Sequence, residues 1–390
     1  MKFLQFTGSR AEFGLQLPLI KELAVRGHDV IICASGTHLE ELFGRTIDEV
    51  RLEGFKDAEI VYIETKDGLS RQICTITSVI ESVSNLIDKH KPDALIVYAD
   101  RYETYAAAAA GFFSELPLIH IEGGDITNGG TFDDSIRHSI TKMASLHYPI
   151  SDNSRANILR MGEEPWRVCT IGLTTSGLMD NVEEHDAINA AEALGINTEK
   201  DLVLFTKHPT LDSEEVLTSR LRQNMEVIEA LLEEDCQVIV TYPNTDPGGR
   251  AMIDVIESYS WKDKKPIIIK SLGRYRFHSL LALNRIGKKC ILAGNSSSGI
   301  KEAIFFGGLS INIGNRQLDR ISPLSVINSE DTYDDFYRKI SLARLISDDE
   351  RTRLCSVNPF KVNENPEEIF CHHVESSLKR SDIMNKKSCF

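Results

Sequence analysis

Short apolar runs rich in β-branched and aromatic residues punctuate this chain, and longer segments with helical periodicity fill the intervals between them. That alternation is the pattern of βα units built on parallel sheets. In the first half, 2–7, 29–34, 59–63, 94–98, 116–120 and 168–171 read as strands. Helical segments follow Gly8 and cover 70–90, 103–114, 133–144 and 153–161. The stretch 172–200 is polar and acidic without a strand pattern, and reads as a connection between two sheets with a short helix of its own. A second series then begins, with strands over 202–206, 237–242, 266–270, 290–293 and 309–313. In the helix after the first of these, Leu217, Leu221, Met225, Ile228 and Leu232 recur every three or four residues and form one apolar stripe, expected to face the core. The last residues, SSLKRSDIMNKKSCF, read as a fraying helix and tail without chemistry.

Two such series predict an α/β protein of two Rossmann-like domains, 1–172 and 173–356, with a terminal helix at about 357–385 packing back on the first. Tandem sheets of this kind are expected to place their strand carboxyl ends across a cleft, and those ends are where open α/β sheets bind ligands. Length agrees, since 390 residues exceed what one core usually serves. The formal net charge of −14 opposes nonspecific binding to nucleic acid, so any phosphate must meet a local basic pocket. The eight cysteines are scattered without a CxxC pair and read as free thiols. The amino terminus reads as a strand rather than a signal peptide, and no run approaches the ~20 apolar residues of a membrane span, so a cytoplasmic protein is expected.

The candidate chemistry lies in the polar segments that follow strands. GSRAEFG, 8–14, opens a helix with small residues and Arg10, and reads either as an anion site or as a plain βα turn. Asp100 and Arg101 end another strand, where Asp100 serves as a helix cap or as a functional acid. HIEGGDITNGGTFDDSIRH, 120–138, holds the densest set of ionisable groups: Glu122 before a glycine turn, then Asp133, Asp134, Arg137 and His138 at a helix start. Singly, Asp133 reads as a cap with Arg137 as its ion partner; together the carboxylates and the arginine suggest paired acid and base work on a neutral sugar. His208 in TKHP ends the first strand of the second domain, Asn244 lies in YPNTD, and GNSSSGIKE brings Ser296 and Ser297 to a helix start suited to a diphosphate. Ser298 is a candidate cap there, Glu302 has the reach for a ribose diol, and Arg316 in GNRQ could close the site. No spacing resembles a zinc site or an EF-hand, so no metal or other cofactor is expected.

In GSRAEFG, ADR, HIEGG, DDSIRH, KHP, YPN, GNSSSGIKE and GNRQ, in register over nearly its whole length, the chain resembles the hydrolysing UDP-N-acetylglucosamine 2-epimerases. The resemblance implies a glycosyltransferase-B fold, a nucleotide-sugar substrate, a homodimer joined through the first domain, and conversion of UDP-N-acetylglucosamine to N-acetylmannosamine through a glycal. It assigns Asp100, Glu122 and Asp133 to the acid and base group, Arg137 to holding them, and His208 to the leaving oxygen. It gives Arg10, Arg101, Ser296, Ser297 and Arg316 to the diphosphate, and Asn244 and Glu302 to nucleotide and ribose. Non-hydrolysing relatives carry GTRPE and VEAGLR segments instead, so GSRAE and HIEGG favour hydrolysis. The loop between Gly124 and Asp133 is longer than in sialic-acid-pathway enzymes, which keeps a 2,4-diacetamido-2,4,6-trideoxy analogue and another base in view. Lys207 is an unfamiliar residue before the histidine. The rival readings are a glycosyltransferase of the same fold, which needs an acceptor site, and a noncatalytic sugar-nucleotide sensor, which has no use for Asp100, Glu122, Asp133 and His208 together.

Overall fold

The apolar run Lys2–Thr7 becomes β1, buried from Phe3 onward and central to a parallel sheet whose two faces are both covered. The computed structural model describes residues 1–35, 38, 47–55, 58–61, 70–127, 132–244 and 246–389. The chain divides into two units: Met1–Ile126, Phe132–Gly177 and Phe360–Phe390 form the first, and Leu178–Pro359, with Thr127, the second.

In the first unit β1 is followed by α1 (Arg10–Val25), β2 (Asp29–Ala34), α2 (Ile47–Leu52), β3 (Glu59–Ile60), α3 (Ser70–His90), β4 (Ala94–Tyr98), α4 (Tyr102–Phe113), β5 (Leu118–Ile121), α5 (Asp133–Met143), β6 (Leu146–Tyr148) and α6 (Asp152–Arg160). The order across the sheet is β3-β2-β1-β4-β5-β6, all parallel. This is the doubly wound Rossmann order, whose direction reverses between β1 and β4. The alanine run of α4 is buried because α4 packs against α3 and the sheet, where small side chains permit close approach.

After α7 (Ser176–Asp180) at the boundary, the second unit carries α8 (Glu184–Ala193), β7 (Leu202–Thr206), α9 (Glu214–Glu233), β8 (Gln237–Thr241), α10 (Gly249–Ser258), β9 (Ile267–Ile269), α11 (Gly273–Leu281), β10 (Cys290–Gly294), α12 (Ser297–Lys301), β11 (Ser310–Ile313), β12 (Val326–Ser329), α13 (Tyr333–Leu345) and α14 (Asp348–Leu354). Its sheet runs β12-β11-β10-β7-β8-β9, the same topology, with its reversal between β7 and β10. The stripe Leu217, Leu221, Met225, Ile228 and Leu232 on α9 is buried in the core of this unit, as its spacing requires.

Three expectations need correction. The run 168–171 is not a strand: Val168 makes a single bridge to His147, and the sixth strand is the shorter Leu146–Tyr148. A further strand, Val326–Ser329, completes the second sheet. The final segment does not fray. After α15 (Pro366–Ser377), the Arg167 guanidinium donates to Asp382 O at 3.0 Å and Ile383 O at 2.7 Å, and Lys386 Nζ pairs with the buried Glu163 at 2.7 Å. Among the described residues no helix is long and apolar enough to cross a membrane, and all eight cysteines are free thiols.

Candidate active site

In a doubly wound sheet the strand ends at the reversal point leave room for a ligand. In the first unit those are the ends of β1 and β4. Beyond β1, Ser9 caps α1 by accepting from Glu12 N at 3.3 Å, and the Glu12 carboxylate accepts from Gly8 N at 2.7 Å. Glu12 is buried, and that burial, opposed by the charge of Arg101, pushes its carboxyl up to about 7. Arg10 opens α1, and its side chain lies outside the described residues. Arg101 lies beyond β4 with its fork on Glu103 at 3.1 and 3.2 Å and its Nε 4.0 Å from Glu12.

The ends of β4 and β5 bear the strain of the site. Ala99 and Glu122 hold left-handed backbone at φ 58° and 62°, a conformation that stores on the order of 1 kcal/mol or more in a residue other than glycine. Each is locked: Ala99 N donates to Ile121 O at 2.9 Å, Glu122 N donates to Tyr148 O at 2.9 Å, and His120 Nε2 donates to Ala99 O at 2.8 Å. His120 is wholly buried, and burial pushes its pKa down to about 3, so the ring is neutral with its proton on Nε2. The Glu122 carboxylate accepts from the Tyr98 hydroxyl. Gly124 has φ 84°, and a Cβ there would stand 2.3 Å from Ser154 O, so the turn after Glu122 requires glycine.

Arg137, on α5 and 1 % exposed, gathers the acids: Nε lies 2.8 Å from Asp100 Oδ2, Nη2 donates to the same oxygen, and Nη1 reaches Asp134 at 2.5 Å and Asp125 O at 2.8 Å. Burial works against its charge, and Asp100, Asp125 and Asp134 outweigh it and hold the guanidinium protonated. The arginine is ion-paired with Asp100, from the end of β4, and with Asp134 on its own helix. Asp133 is the first residue of α5, half-buried, and not its cap, since the cap position is Phe132.

In the second unit the reversal lies between β7 and β10. Gly294, at φ 135°, brings β10 so close to β7 that a Cβ would stand 1.8 Å from Thr206 O. Asn295, next along, pins His208 at both backbone atoms: its Oδ1 accepts from His208 N at 2.6 Å and its Nδ2 donates to His208 O at 2.8 Å. The His208 ring accepts from Asn244 N at 3.0 Å through Nδ1, which puts the proton of the neutral ring on Nε2. Burial, helped by Arg316, pushes this histidine down to about 3. Arg316 Nη1 donates to Asn295 O at 3.2 Å, and Asn244 Nδ2 donates to Asp246 at 2.5 Å. A recess of about 310 Å³, open solvent included, is bordered by His208, Asn295, Arg316, Lys207, Arg220 and Asp331.

Ser296, not Ser298, caps α12, accepting from Ser298 N at 3.4 Å, because the helix begins at Ser297. Glu302 lies 2.7 Å from the buried His278 Nε2; its own burial opposes ionisation, and the histidine outweighs it and holds the carboxyl below its usual range. Lys207 is 4 % exposed and donates to Asn224 at 2.7 Å and to Asp331, which makes it a strut for the β7 end. Among the described residues no cluster of three or more His, Cys, Asp or Glu is arranged to hold a metal ion.

The structure thus brings Asp100 and Arg137 together in the first unit, and His208, Asn244 and Arg316 in the second. Sequence reasoning gave no role to Tyr98, Asp125, His278, Asn295 or Asp331, and named Asp134 only as one of the carboxylates at the start of α5. Asp125 and Asn295 sat inside the motifs and Tyr98 just before one, whereas nothing local marked His278 or Asp331.

The chain matches the profile of the family described as UDP-N-acetylglucosamine 2-epimerase over residues 21–370. It is 31 % identical over 341 residues to UDP-N,N'-diacetylbacillosamine 2-epimerase (hydrolyzing) of Legionella pneumophila, covering 85 % of this chain and 86 % of that protein. It is 32 % identical over 332 residues to GDP/UDP-N,N'-diacetylbacillosamine 2-epimerase (hydrolyzing) of Campylobacter jejuni, covering 83 % of each. The crystal structure of UDP-GlcNAc 2-epimerase from Neisseria meningitidis bound to UDP-GlcNAc superposes with a TM-score of 0.80 at 19 % identity, over 96 % of this chain and 100 % of that one. The two six-stranded sheets, in the order that both share, are those of the glycosyltransferase-B fold. With the profile spanning most of the sequence and these relatives aligned along it, the chain belongs to the UDP-N-acetylglucosamine 2-epimerase family.

Proposed function

We propose that this chain is a hydrolysing 2-epimerase of a UDP-linked 2-acetamido sugar, with UDP-2,4-diacetamido-2,4,6-trideoxyglucose as its substrate. The observation that carries the reaction is the pair of carboxylates at neighbouring strand ends, Asp100 held by Arg137 and Glu122 held by Tyr98, both beside strained backbone. Two relatives above 30 % identity, both named for the diacetamido sugar, support that substrate over UDP-N-acetylglucosamine.

A C2 proton with no adjacent carbonyl is a poor acid, so it leaves only as the C1–O bond breaks. The C1–O electron pair departs with UDP, a carboxylate of the Asp100, Glu122 and Asp133 group takes the C2 proton, and the C–H pair becomes the C1–C2 double bond of a glycal. Water then adds hydroxyl to C1 and a proton returns to C2 on the opposite face, so the sum is UDP-sugar plus water giving UDP plus the free 2-epimer. Arg137 holds and aims Asp100. A neutral His208 with Nε2–H is a donor suited to the leaving oxygen. Arg10, Arg101, Ser296, Ser297 and Arg316 act on the diphosphate, where negative charge grows, and Asn244 and Glu302 on nucleotide and ribose. The reading carries with it the homodimer that the sequence resemblance implies.

The test is incubation of the pure protein with the diacetamido nucleotide in deuterium oxide, followed by proton NMR. Release of UDP with the manno epimer deuterated at C2 is expected; intact substrate, or epimer without deuterium, refutes the reading. The second reading, UDP-N-acetylglucosamine to N-acetylmannosamine, is favoured by the ligand of the Neisseria structure, and the same tube with that substrate decides between them.

A further inference from the structure

We infer that Tyr98 is a positioning residue for Glu122: its phenol holds one carboxylate oxygen and so fixes the direction in which the carboxylate meets the sugar. The inference rests on the proposed role of Glu122 in proton transfer and goes beyond it, because nothing in that role requires a tyrosine.

Tyr98 is the last residue of β4 and 3 % exposed, its ring packed among Ile96, Ile119, Ile121 and Tyr148. Parallel pairing sets Tyr98 opposite Ile121, the residue before Glu122. A ring so packed has little rotamer freedom, and its hydroxyl is delivered to a fixed point, where it donates to Glu122 Oε2. Glu122 is anchored at its other end, since its backbone is in the left-handed region and its N–H is bound to Tyr148 O at 2.9 Å. A glutamate side chain otherwise loses on the order of 1.5 kcal/mol of rotamer freedom when it is ordered for reaction, and a buried donor removes that loss from the catalytic step. Tyr98 also lies two residues from Asp100, so one strand end serves both carboxylates: the tyrosine orders Glu122, and Asp100 takes the Arg137 guanidinium. A phenol that merely needed a partner when buried would give the same hydrogen bond, and kinetics separate the two.

The test is Tyr98→Phe, which keeps the ring and removes one donor, assayed on the UDP-sugar that the protein turns over. We expect kcat to fall about ten- to a hundredfold, the loss of one hydrogen bond to a charged group, with KM changed less than about threefold and the UDP Kd unchanged. The primary isotope effect with C2-deuterated substrate should rise, because proton removal becomes slower relative to the other steps. In single turnover, Glu122→Gln should be severely impaired, and adding Tyr98→Phe to it should change nothing further. Parental kcat and isotope effect in Tyr98→Phe, with Glu122→Gln impaired, overturn the inference and leave the proposed function standing. An equal loss in both backgrounds also overturns it, because Tyr98 would then act elsewhere. Normal turnover by Glu122→Gln removes the role of Glu122 itself, and the inference with it. Should Tyr98→Phe fail to fold, 3-fluorotyrosine at position 98 keeps the ring and strengthens the donor; an isotope effect equal to the parent's then overturns the inference.

Discussion

Removing the buried charge of Lys207 should destabilise the second unit far more than a surface lysine would. The side chain is 4 % exposed, its ammonium shared between Asn224 at 2.7 Å and Asp331, whose carboxylate is itself only 14 % exposed. Burial pulls the lysine pKa down and Asp331 pushes back, so the pair is held by mutual compensation rather than by water. Lys207→Met leaves Asp331 buried without its counter-charge, a loss usually of about 3–5 kcal/mol. The residual exposure of Asp331 and its 3.3 Å contact with Asn224 Nδ2 argue for the lower end, about 3 kcal/mol. For a unit of this size that corresponds to a fall in Tm of roughly 6–12 °C, read by differential scanning calorimetry. Lys207→Met combined with Asp331→Leu replaces the pair by apolar groups and should recover at least half of the loss. A single variant that melts within about 2 °C of the parent, or a double variant less stable than the single, would refute the reasoning.

Two further predictions concern protons. His120 and His208 are pushed down to about 3 and His147 to about 4, all chiefly by burial. As pH falls below about 6.5 the unfolded chain binds protons that the folded one refuses, so stability drops between pH 6.5 and 4, by at most about 4 kcal/mol per pH unit for the three together. Urea unfolding at pH 7.5, 6 and 5 checks this, and a flat midpoint contradicts it. Glu12 has the opposite sign: raised to about 7, it weakens the fold as pH climbs from about 4.5 through 7. Glu12→Gln keeps an acceptor for Gly8 N–H, and should raise Tm at pH 8 and leave it unchanged at pH 4; equal effects at both values count against a buried proton on Glu12.

Strands written as continuous apolar runs flanked by turn residues were readable from the sequence, and β1, β2, β4 and β7 begin and end where those runs do. Leu146–Tyr148 escaped because three residues, one a histidine, carry too little pattern, while the apolar 168–171 reaches the sheet at one residue only. The site was legible as a set of motifs and not as a set of contacts. Arg137 lies four residues from Asp133, which makes helical pairing the obvious reading, yet its partner Asp100 is 37 residues away and is met because α5 packs against α4 and β5, which adjoin the end of β4. Lys207 with Asp331, His278 with Glu302 and Arg167 with Ile383 are likewise products of tertiary folding, for which spacing along a helix or strand gives no sign.

The anchoring of the last residues on Arg167 and Glu163 bears on how the molecule is made. The first unit is discontinuous, its third segment beginning only at Phe360, after Leu178–Pro359 of the second. Translation therefore delivers all the residues of the second unit while the first still lacks α15, whose Phe370 and Val374 fill the cluster around Phe3 and Leu19. Domains on a ribosome commonly close in the order in which they emerge. Here the flank of the amino-terminal sheet around Phe3 and Leu19 cannot be covered by α15 until the whole of Leu178–Pro359 has been synthesised.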